Sequence, residues 1–129
     1  MIRAGGDRVA VRSIDHVQLA MPAGEEDRAR RFYEGLLGLP ERPKPPELAK
    51  RGGVCFETPA VKIHLGVEQD FRPARKAHPA PVVDGLAEIV RRCREEGYRV
   101  VDDGPLPGYQ RVYVDDPFGN RLELMEPVS

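Results

Sequence analysis

The sequence YQRVYVDDPFGNRLELME, residues 109–126, contains the pattern that decides the fold. Apolar and polar side chains alternate on both sides of the DPFGN segment, as in strands that have one buried face. The stretch therefore predicts a β-hairpin with its turn at Asp116 to Asn120. Gly119 and Asn120 are expected to serve the turn alone, because such turns favour positive φ.

The residues before this hairpin predict a strand, a helix and a short strand. The first strand runs from His78 to Val83, and Asp84 is the expected N-cap of the helix GLAEIVRRCREEG. That helix has one apolar stripe and ends at Gly97. A short strand at Tyr98 to Val101 and a loop rich in Gly and Pro then lead into the hairpin.

The first half of the chain predicts the same order of elements. Residues 13–21 alternate as a strand, and EEDRARRFYEGLLG, residues 25–38, has the apolar spacing of an amphipathic helix. A loop rich in Pro and charge, with room for a short edge strand, precedes two strands around a turn at Pro59 and Ala60. The sequence therefore predicts an α+β fold.

The repeat defines the architecture. Two paired β-α-β-β-β modules, approximately residues 13–67 and 78–127, are expected to form two curved half-sheets around a pseudo-twofold axis. They make up a single domain, residues 13–129, after an N-terminal extension of residues 1–12.

The three histidines of the chain occupy positions that this repeat relates. His16 corresponds to His78, and His64 corresponds to Glu123. Imidazole nitrogens and a carboxylate are the ligands that borderline divalent ions prefer. The sequence therefore predicts that His16, His64, His78 and Glu123 meet at a site for Zn, Ni, Fe, Mn or Co.

Composition excludes several classes of function. The 129 residues carry a net charge of −1, which provides no basic field for nucleic acid. No apolar run reaches the roughly 18 residues that cross a membrane, and the N-terminus has no apolar core of signal-peptide length. A cytoplasmic protein is expected. Cys55 and Cys93 lack CxxC spacing and are expected to be buried rather than a redox pair.

From Ser13 to Pro127 the chain resembles the superfamily of glyoxalases, bleomycin-resistance proteins and extradiol dioxygenases, the vicinal oxygen chelate proteins. The resemblance rests on five motifs, of which the last is the most specific: IDHVQL, RRFYEGLLGL, KIHLGV, AHPAPVVDGLAE and YVDDPFGNRLELME. It implies a glyoxalase-like curved-sheet cavity. Metal-using members take ligands from the first, fourth, fifth and eighth strands, which implies the same four residues: His16, His64, His78 and Glu123.

The resemblance also implies a chemistry. Metal-using relatives bind a small molecule through adjacent oxygens, which favours a metal-dependent lyase or isomerase similar to lactoylglutathione lyase. Glu123 is then the candidate base, and Arg111 and Tyr113 are candidate residues near the substrate. Ala20 and Glu68 stand where glutathione-using bacterial relatives have Arg and Asn, which argues against glutathione as substrate.

Three alternatives remain open. An extradiol-type dioxygenase would hold Fe²⁺ with His16, His78 and Glu123, and Tyr113 stands ten residues before the Glu as in those enzymes. A thiol transferase acting on fosfomycin ranks lower, because no phosphonate-binding tail is found after Met125. The third alternative is a metal-free protein that binds a small molecule or confers antibiotic resistance.

A homodimer is expected, because single-domain relatives commonly build each site from modules of two subunits. In the connector between the modules, four residues either clamp an acidic group of the substrate or form a solvated linker. These residues are Phe71, Arg72, Arg75 and Lys76.

Overall fold

The structure is a computed structural model that describes residues 9–128. Residues 1–8 of the expected N-terminal extension therefore lie outside the described residues. The first half-sheet contains four strands in the order β1, β4, β3, β2. Strand β1 pairs in parallel with β4, and the other pairs are antiparallel. The bounds of these strands are β1 Val17–Met21, β2 Glu41–Arg42, β3 Val54–Glu57 and β4 Lys62–Val67.

The second half-sheet contains three strands in the order β5, β6, β7. Their bounds are β5 Val100–Val101, β6 Tyr109–Asp115 and β7 Arg121–Pro127. The turn between β6 and β7 lies where the sequence predicts it. There the Asp116 amide donates to the Asn120 carbonyl oxygen at 2.8 Å, and Gly119 adopts φ +90°.

The strand predicted from His78 to Val83 is not regular. This segment runs beside β7 and forms only an isolated parallel bridge between Val82 and Met125. Amides of β7 donate to the carbonyl oxygens of Pro79 and Pro81, but neither proline has an N–H to donate in return. The order of segment 79–83, β7, β6, β5 nevertheless reproduces the order of the first half-sheet.

The first helix covers its half-sheet with an apolar stripe. Helix α1, Glu26–Ala29, continues as a π-helical segment, Arg30–Leu36. The stripe is fully or almost fully buried against the sheet and consists of Ala29, Phe32, Tyr33 and Leu36. In the loop predicted after it, Pro46–Ala49 forms a short helix, α2.

Helix α3, Leu86–Glu95, covers the second half-sheet and begins differently from the sequence prediction. The prediction that Asp84 is the N-cap of this helix is wrong. Gly85 occupies the cap position with φ +74°, and no side chain caps the helix. Its amide donates instead to Glu126 Oε2 at 2.7 Å. A left-handed residue at the cap places Asp84 one position too early to reach the first turn.

The turn between β6 and β7 joins the two modules. Tyr33 Oη donates to Asp116 Oδ2 at 2.6 Å, in the buried core. Asn120 does more than close the turn, since its Nδ2 donates to the Ala20 carbonyl oxygen at 2.8 Å. Among residues 9–128, Asp70 is the one residue other than glycine with positive φ, so Asn120 does not use the conformation expected of it. The predicted α+β fold of two modules is confirmed.

A membrane-spanning helix is absent from the described part of the chain.

Candidate functional site

The strand register relates the predicted site residues in pairs. Gln18 stands beside His64 in the parallel pairing of β1 with β4, and His16 precedes Gln18 by two residues. Val82 stands beside Met125 in the second module, which places Ala80 beside Glu123 and His78 two residues earlier. The pseudo-twofold relation between the two halves therefore holds in the structure.

All these residues belong to the open face, which we define as the face of each half-sheet that points away from the helices. Alternate residues of β1 and β4, such as Met21 and Leu65, are buried beneath the helix on the opposite face. The open face of the first half-sheet carries His16 and His64. That of the second carries Glu123, Arg111, Tyr113 and Arg121, in the register of β6 with β7.

His16 and His64 form the first pair. Their rings stack with centroids 4.3 Å apart and an interplanar angle of 18°. His16 Nδ1 donates to Asp15 Oδ2 at 3.0 Å, and His64 Nε2 donates to Glu57 Oε2 at 2.6 Å. The hydrogen bond with His16 and, to a smaller extent, the one with Lys62 lower the pKa of the Asp15 carboxyl. His16 thus retains a free Nε2, whereas His64 retains Nδ1.

His78 and Glu123 form the second pair. His78 Nε2 lies 3.0 Å from Glu123 Oε1, and both side chains are largely buried. His78 Nδ1 lies 2.7 Å from the Lys76 carbonyl oxygen, which only accepts hydrogen bonds, so Nδ1 carries a proton. Nε2 therefore faces a carboxylate oxygen, and either a second ring proton or a shared cation can lie between the two atoms.

Arg111 and Tyr113 surround Glu123. Arg111 Nη1 donates to Tyr113 Oη at 2.6 Å and lies 3.4 Å from Glu123 Oε2. Arg111 Nε also donates to the Gly104 carbonyl oxygen, at 3.2 Å. The Tyr113 ring stands edge-on to His78, with centroids 5.3 Å apart. The structure thus brings together the three residues that the sequence analysis predicts to be catalytic or close to the substrate: Glu123, Arg111 and Tyr113.

The two pairs do not meet within one chain. Among residues 9–128, no group of three or more His, Cys, Asp or Glu side chains is arranged to hold a metal ion. The sequence expectation of four ligands around one point is therefore not fulfilled by a single copy. His16 and His78 nevertheless both border a cavity of about 970 Å³ between β1 and segment 79–83.

His16, His78 and Glu123 fit a borderline divalent ion. Bonds of about 2.0–2.2 Å to nitrogen and oxygen place neighbouring ligand atoms about 3.0–3.4 Å apart. The 3.0 Å between His78 Nε2 and Glu123 Oε1 lies in this range. A metal-binding His usually donates its other ring N–H to a carbonyl or carboxylate, as His78 and His16 do.

In the connector, Arg72 borders the same cavity, in agreement with a place near its opening. Phe71 instead packs edge-on against Phe118 in the hairpin turn, with centroids 6.4 Å apart. Arg75 and Lys76 are exposed and lie outside the cavity lining.

Both cysteines are free. Cys93 is completely buried in α3, and burial raises the pKa of its thiol to about 11. Cys55 is partly buried in β3, where burial also raises its pKa.

Sequence reasoning did not identify three residues of the open face. Asp15 and Glu57 hold the rings of His16 and His64, and the Arg121 guanidinium lies 5.2 Å from the centroid of the Tyr113 ring. A usable signal was present, because residues two apart on a strand share a face and Arg121 precedes Glu123 by two.

Comparison with known proteins agrees with this fold. The model of the Glyoxalase/Bleomycin resistance protein/Dioxygenase superfamily matches residues 13–124. The chain therefore belongs to this superfamily. A structure from Bacillus anthracis, described as a glyoxalase family protein, is 48% identical, with a TM-score of 0.85, over 95% of this chain and all of that one.

More distant structures show the same fold. A glyoxalase/dioxygenase from Nostoc punctiforme is 23% identical over 97% of this chain and 100% of that one, with a TM-score of 0.73. The fosfomycin resistance protein FosX from Listeria monocytogenes is 13% identical over 93% of this chain and 94% of that one, with a TM-score of 0.71. A search of curated proteins gave no match.

Proposed function

We propose that the protein is a metal-dependent enzyme, a lyase or isomerase, that acts on a small molecule with adjacent oxygens. His16, His78 and Glu123 would hold the divalent ion, with His64 as a fourth ligand. The observation that carries the proposal is the His78–Glu123 pair, in which an imidazole nitrogen and a carboxylate oxygen face each other at 3.0 Å. The proton on His78 Nδ1 fixes that orientation.

His16 supports the same assignment from the other module. Its Nδ1 proton is committed to Asp15, so Nε2 is the nitrogen left for a metal. His64 is arranged differently, because Glu57 already accepts from its Nε2. Two His and one Glu form the primary set, and this combination with open positions is common in metal enzymes that bind substrate at the ion.

A homodimer would bring the two pairs together. Strand β1 and segment 79–83 each have an edge without a strand partner in the described chain. Exposed apolar side chains lie along these edges, with Ile14 79% and Val82 56% exposed. The cavity between the edges is lined largely by small apolar side chains. A second copy that covers these edges would set His16 of one chain beside His78 and Glu123 of the other.

A divalent ion at this place would act as a Lewis acid toward two adjacent substrate oxygens. The chain's own groups account for proton movement. The Glu123 carboxylate is the base that would move a proton between neighbouring carbons, and Arg111 Nη1, 3.4 Å from Oε2, limits its rotation. Because Tyr113 Oη accepts from Arg111, it fixes the position of that guanidinium.

An extradiol-type dioxygenase is the second candidate. Tyr113 stands directly opposite Glu123 in the β6–β7 register, and its ring stands edge-on to His78. A tyrosine hydroxyl beside a set of two His and one Glu suits the binding of a catechol at Fe²⁺.

Metal analysis tests both candidates. We expect about one divalent ion per chain in the purified protein by plasma mass spectrometry, and loss of that ion in His16→Asn, His78→Asn and Glu123→Gln. Bound Fe²⁺ would favour dioxygenation, and Ni²⁺ or Zn²⁺ would favour isomerisation.

Glu126→Gln is the matched control, because Glu126 lies on the same strand, is part of no ligand pair, and keeps an acceptor for the Gly85 amide after the change. A parent protein that binds no metal even after reconstitution would overturn the proposal and leave a metal-free binding protein.

A further inference from the structure

Each half-sheet carries a basic side chain at an equivalent position of the open face, Lys62 in the first and Arg121 in the second. The two differ in whether a carboxylate neutralises that side chain. Lys62 precedes His64 by two residues, and Arg121 precedes Glu123 by two, so they are equivalent under the pseudo-twofold relation. The register supports this equivalence, since Lys62 stands opposite Glu57 in β3 as Arg121 stands opposite Asp115 in β6.

In the first module a carboxylate neutralises this cation. Lys62 Nζ lies 3.4 Å from Asp15 Oδ1. Asp15 immediately precedes His16, so its equivalent in the second module is the residue before His78, which is Ala77. A methyl group therefore stands where the matching carboxylate would be.

Arg121 is left without a counter-ion. Among the described residues its side chain forms no ion pair and no hydrogen bond, and Asp115 opposite it pairs with Arg99 at 3.7 Å. The Arg121 guanidinium lies 5.2 Å from the centroid of the Tyr113 ring, a contact that pairs its charge with no carboxylate. Arg111, by contrast, is held by Tyr113, Glu123 and Gly104.

We propose that Arg121 binds an oxyanion of the substrate, a carboxylate or a phosphate-type group, in the place that Asp15 fills in the first module. The guanidinium fork matches two oxygens of such a group. The substrate would then carry an acidic group next to its metal-binding oxygens. This inference rests on the proposed function only in taking the open face beside Glu123 as the substrate's place.

Titration of inorganic phosphate into the metal-stripped protein tests the inference by calorimetry. We expect saturable binding to the parent, about ten- to a hundredfold weaker binding to Arg121→Gln, and an intermediate loss in Arg121→Lys, which keeps the charge but not the fork. A parallel titration with acetate distinguishes a preference for carboxylate from one for phosphate.

Arg94→Gln is the control, because Arg94 is an exposed arginine of α3, on the other face of the same half-sheet, and its loss is expected to leave phosphate binding unchanged. Equal affinity of the parent and Arg121→Gln, or no binding to the parent of either anion, would overturn the inference. Since no metal is present, this result is separate from the metal analysis: a protein that holds a metal but no anion refutes only the role of Arg121.

Discussion

His78 Nε2 lies 3.0 Å from Glu123 Oε1, although 45 residues separate the two in the sequence. Three hydrogen bonds between segment 79–83 and β7 hold the two residues in this register, and two of them use the proline carbonyls. The same offset on β1 and β4 produces the His16–His64 pair. One backbone arrangement, used twice, thus places all four candidate ligands.

The hydrogen bond from His16 to Asp15 leads to a prediction about metal affinity. Asp15→Asn removes the carboxylate that orients the His16 ring, so we expect metal affinity to fall about ten- to a hundredfold. Competition with a chelating dye measures this change. Asp84→Asn, at an exposed aspartate that caps nothing, should leave affinity unchanged. Equal affinities in the two variants would contradict a role for Asp15.

Burial of Asp116 predicts a pH effect on stability. Burial raises the pKa of this carboxyl, and hydrogen bonds from Tyr33 and Asn120 oppose that rise. Because the folded pKa lies above the ordinary value of about 3.9, the folded chain holds the proton more tightly than the unfolded chain. This contribution to stability is complete below the ordinary value and is lost as pH rises through the folded pKa.

Asp116→Asn removes this titration. Relative to the parent, we expect the variant to become more stable, with a larger free energy of unfolding, as pH rises from about 4 to about 7. Urea unfolding across that range measures the difference. An opposite slope would mean that the hydrogen bonds, and not burial, dominate at Asp116.

The exposed edge of segment 79–83 predicts the oligomeric state. Val82→Glu places a charge on a surface that a second copy is proposed to cover, so the variant should be monomeric in sedimentation experiments and should lose its metal. Leu48→Glu, at an exposed leucine of α2, is the control and should remain a dimer. A parent that sediments as a monomer, or a Val82 variant that stays dimeric, would refute the proposed interface.

The position of Gly53 leaves no room for a side chain. It adopts φ +86°, and a Cβ there would overlap the carbonyl oxygen of Leu65 across the first half-sheet. We expect Gly53→Ala to lower the free energy of unfolding by more than about 1–3 kcal/mol, the usual cost of such a backbone conformation alone. Gly104→Ala isolates that conformational cost, since Gly104 has φ +80° with open space around it. Chemical denaturation compares the two, and equal losses would show that β3 moves to accommodate the methyl group.

The sequence was sufficient for the fold because its signals are local or repeated. Alternation and turn residues identified the hairpin around Asp116 to Asn120, and helical spacing identified Phe32 and Tyr33 as core. The repeat also predicted that His16 corresponds to His78 and His64 to Glu123. The cap at Gly85 was missed, because Asp is a preferred N-cap type and the Gly85 amide finds its acceptor on Glu126, which is distant in the sequence.

The site was only partly predictable. Residue type and position in the repeat identify His78 and Glu123 as a pair. The distance between that pair and His16 depends on how the modules pack, which no local sequence pattern determines. The partner of His64 was also missed, because Glu57 reaches the ring diagonally from the adjacent strand β3 and not from the position directly opposite. The lack of an ion partner for the Arg121 side chain depends on the fold, which brings Lys62 to Asp15 in the first module and leaves Ala77 at the equivalent position in the second.

The separation of the two ligand pairs has a thermodynamic consequence. An ion held by residues of two chains binds to the assembled pair and not to the free chain, so metal binding and self-association must strengthen each other. Under the proposed arrangement, the apparent affinity for metal would rise with protein concentration, and dilution would release the ion. Abundance of the protein itself would then set how much of it is loaded.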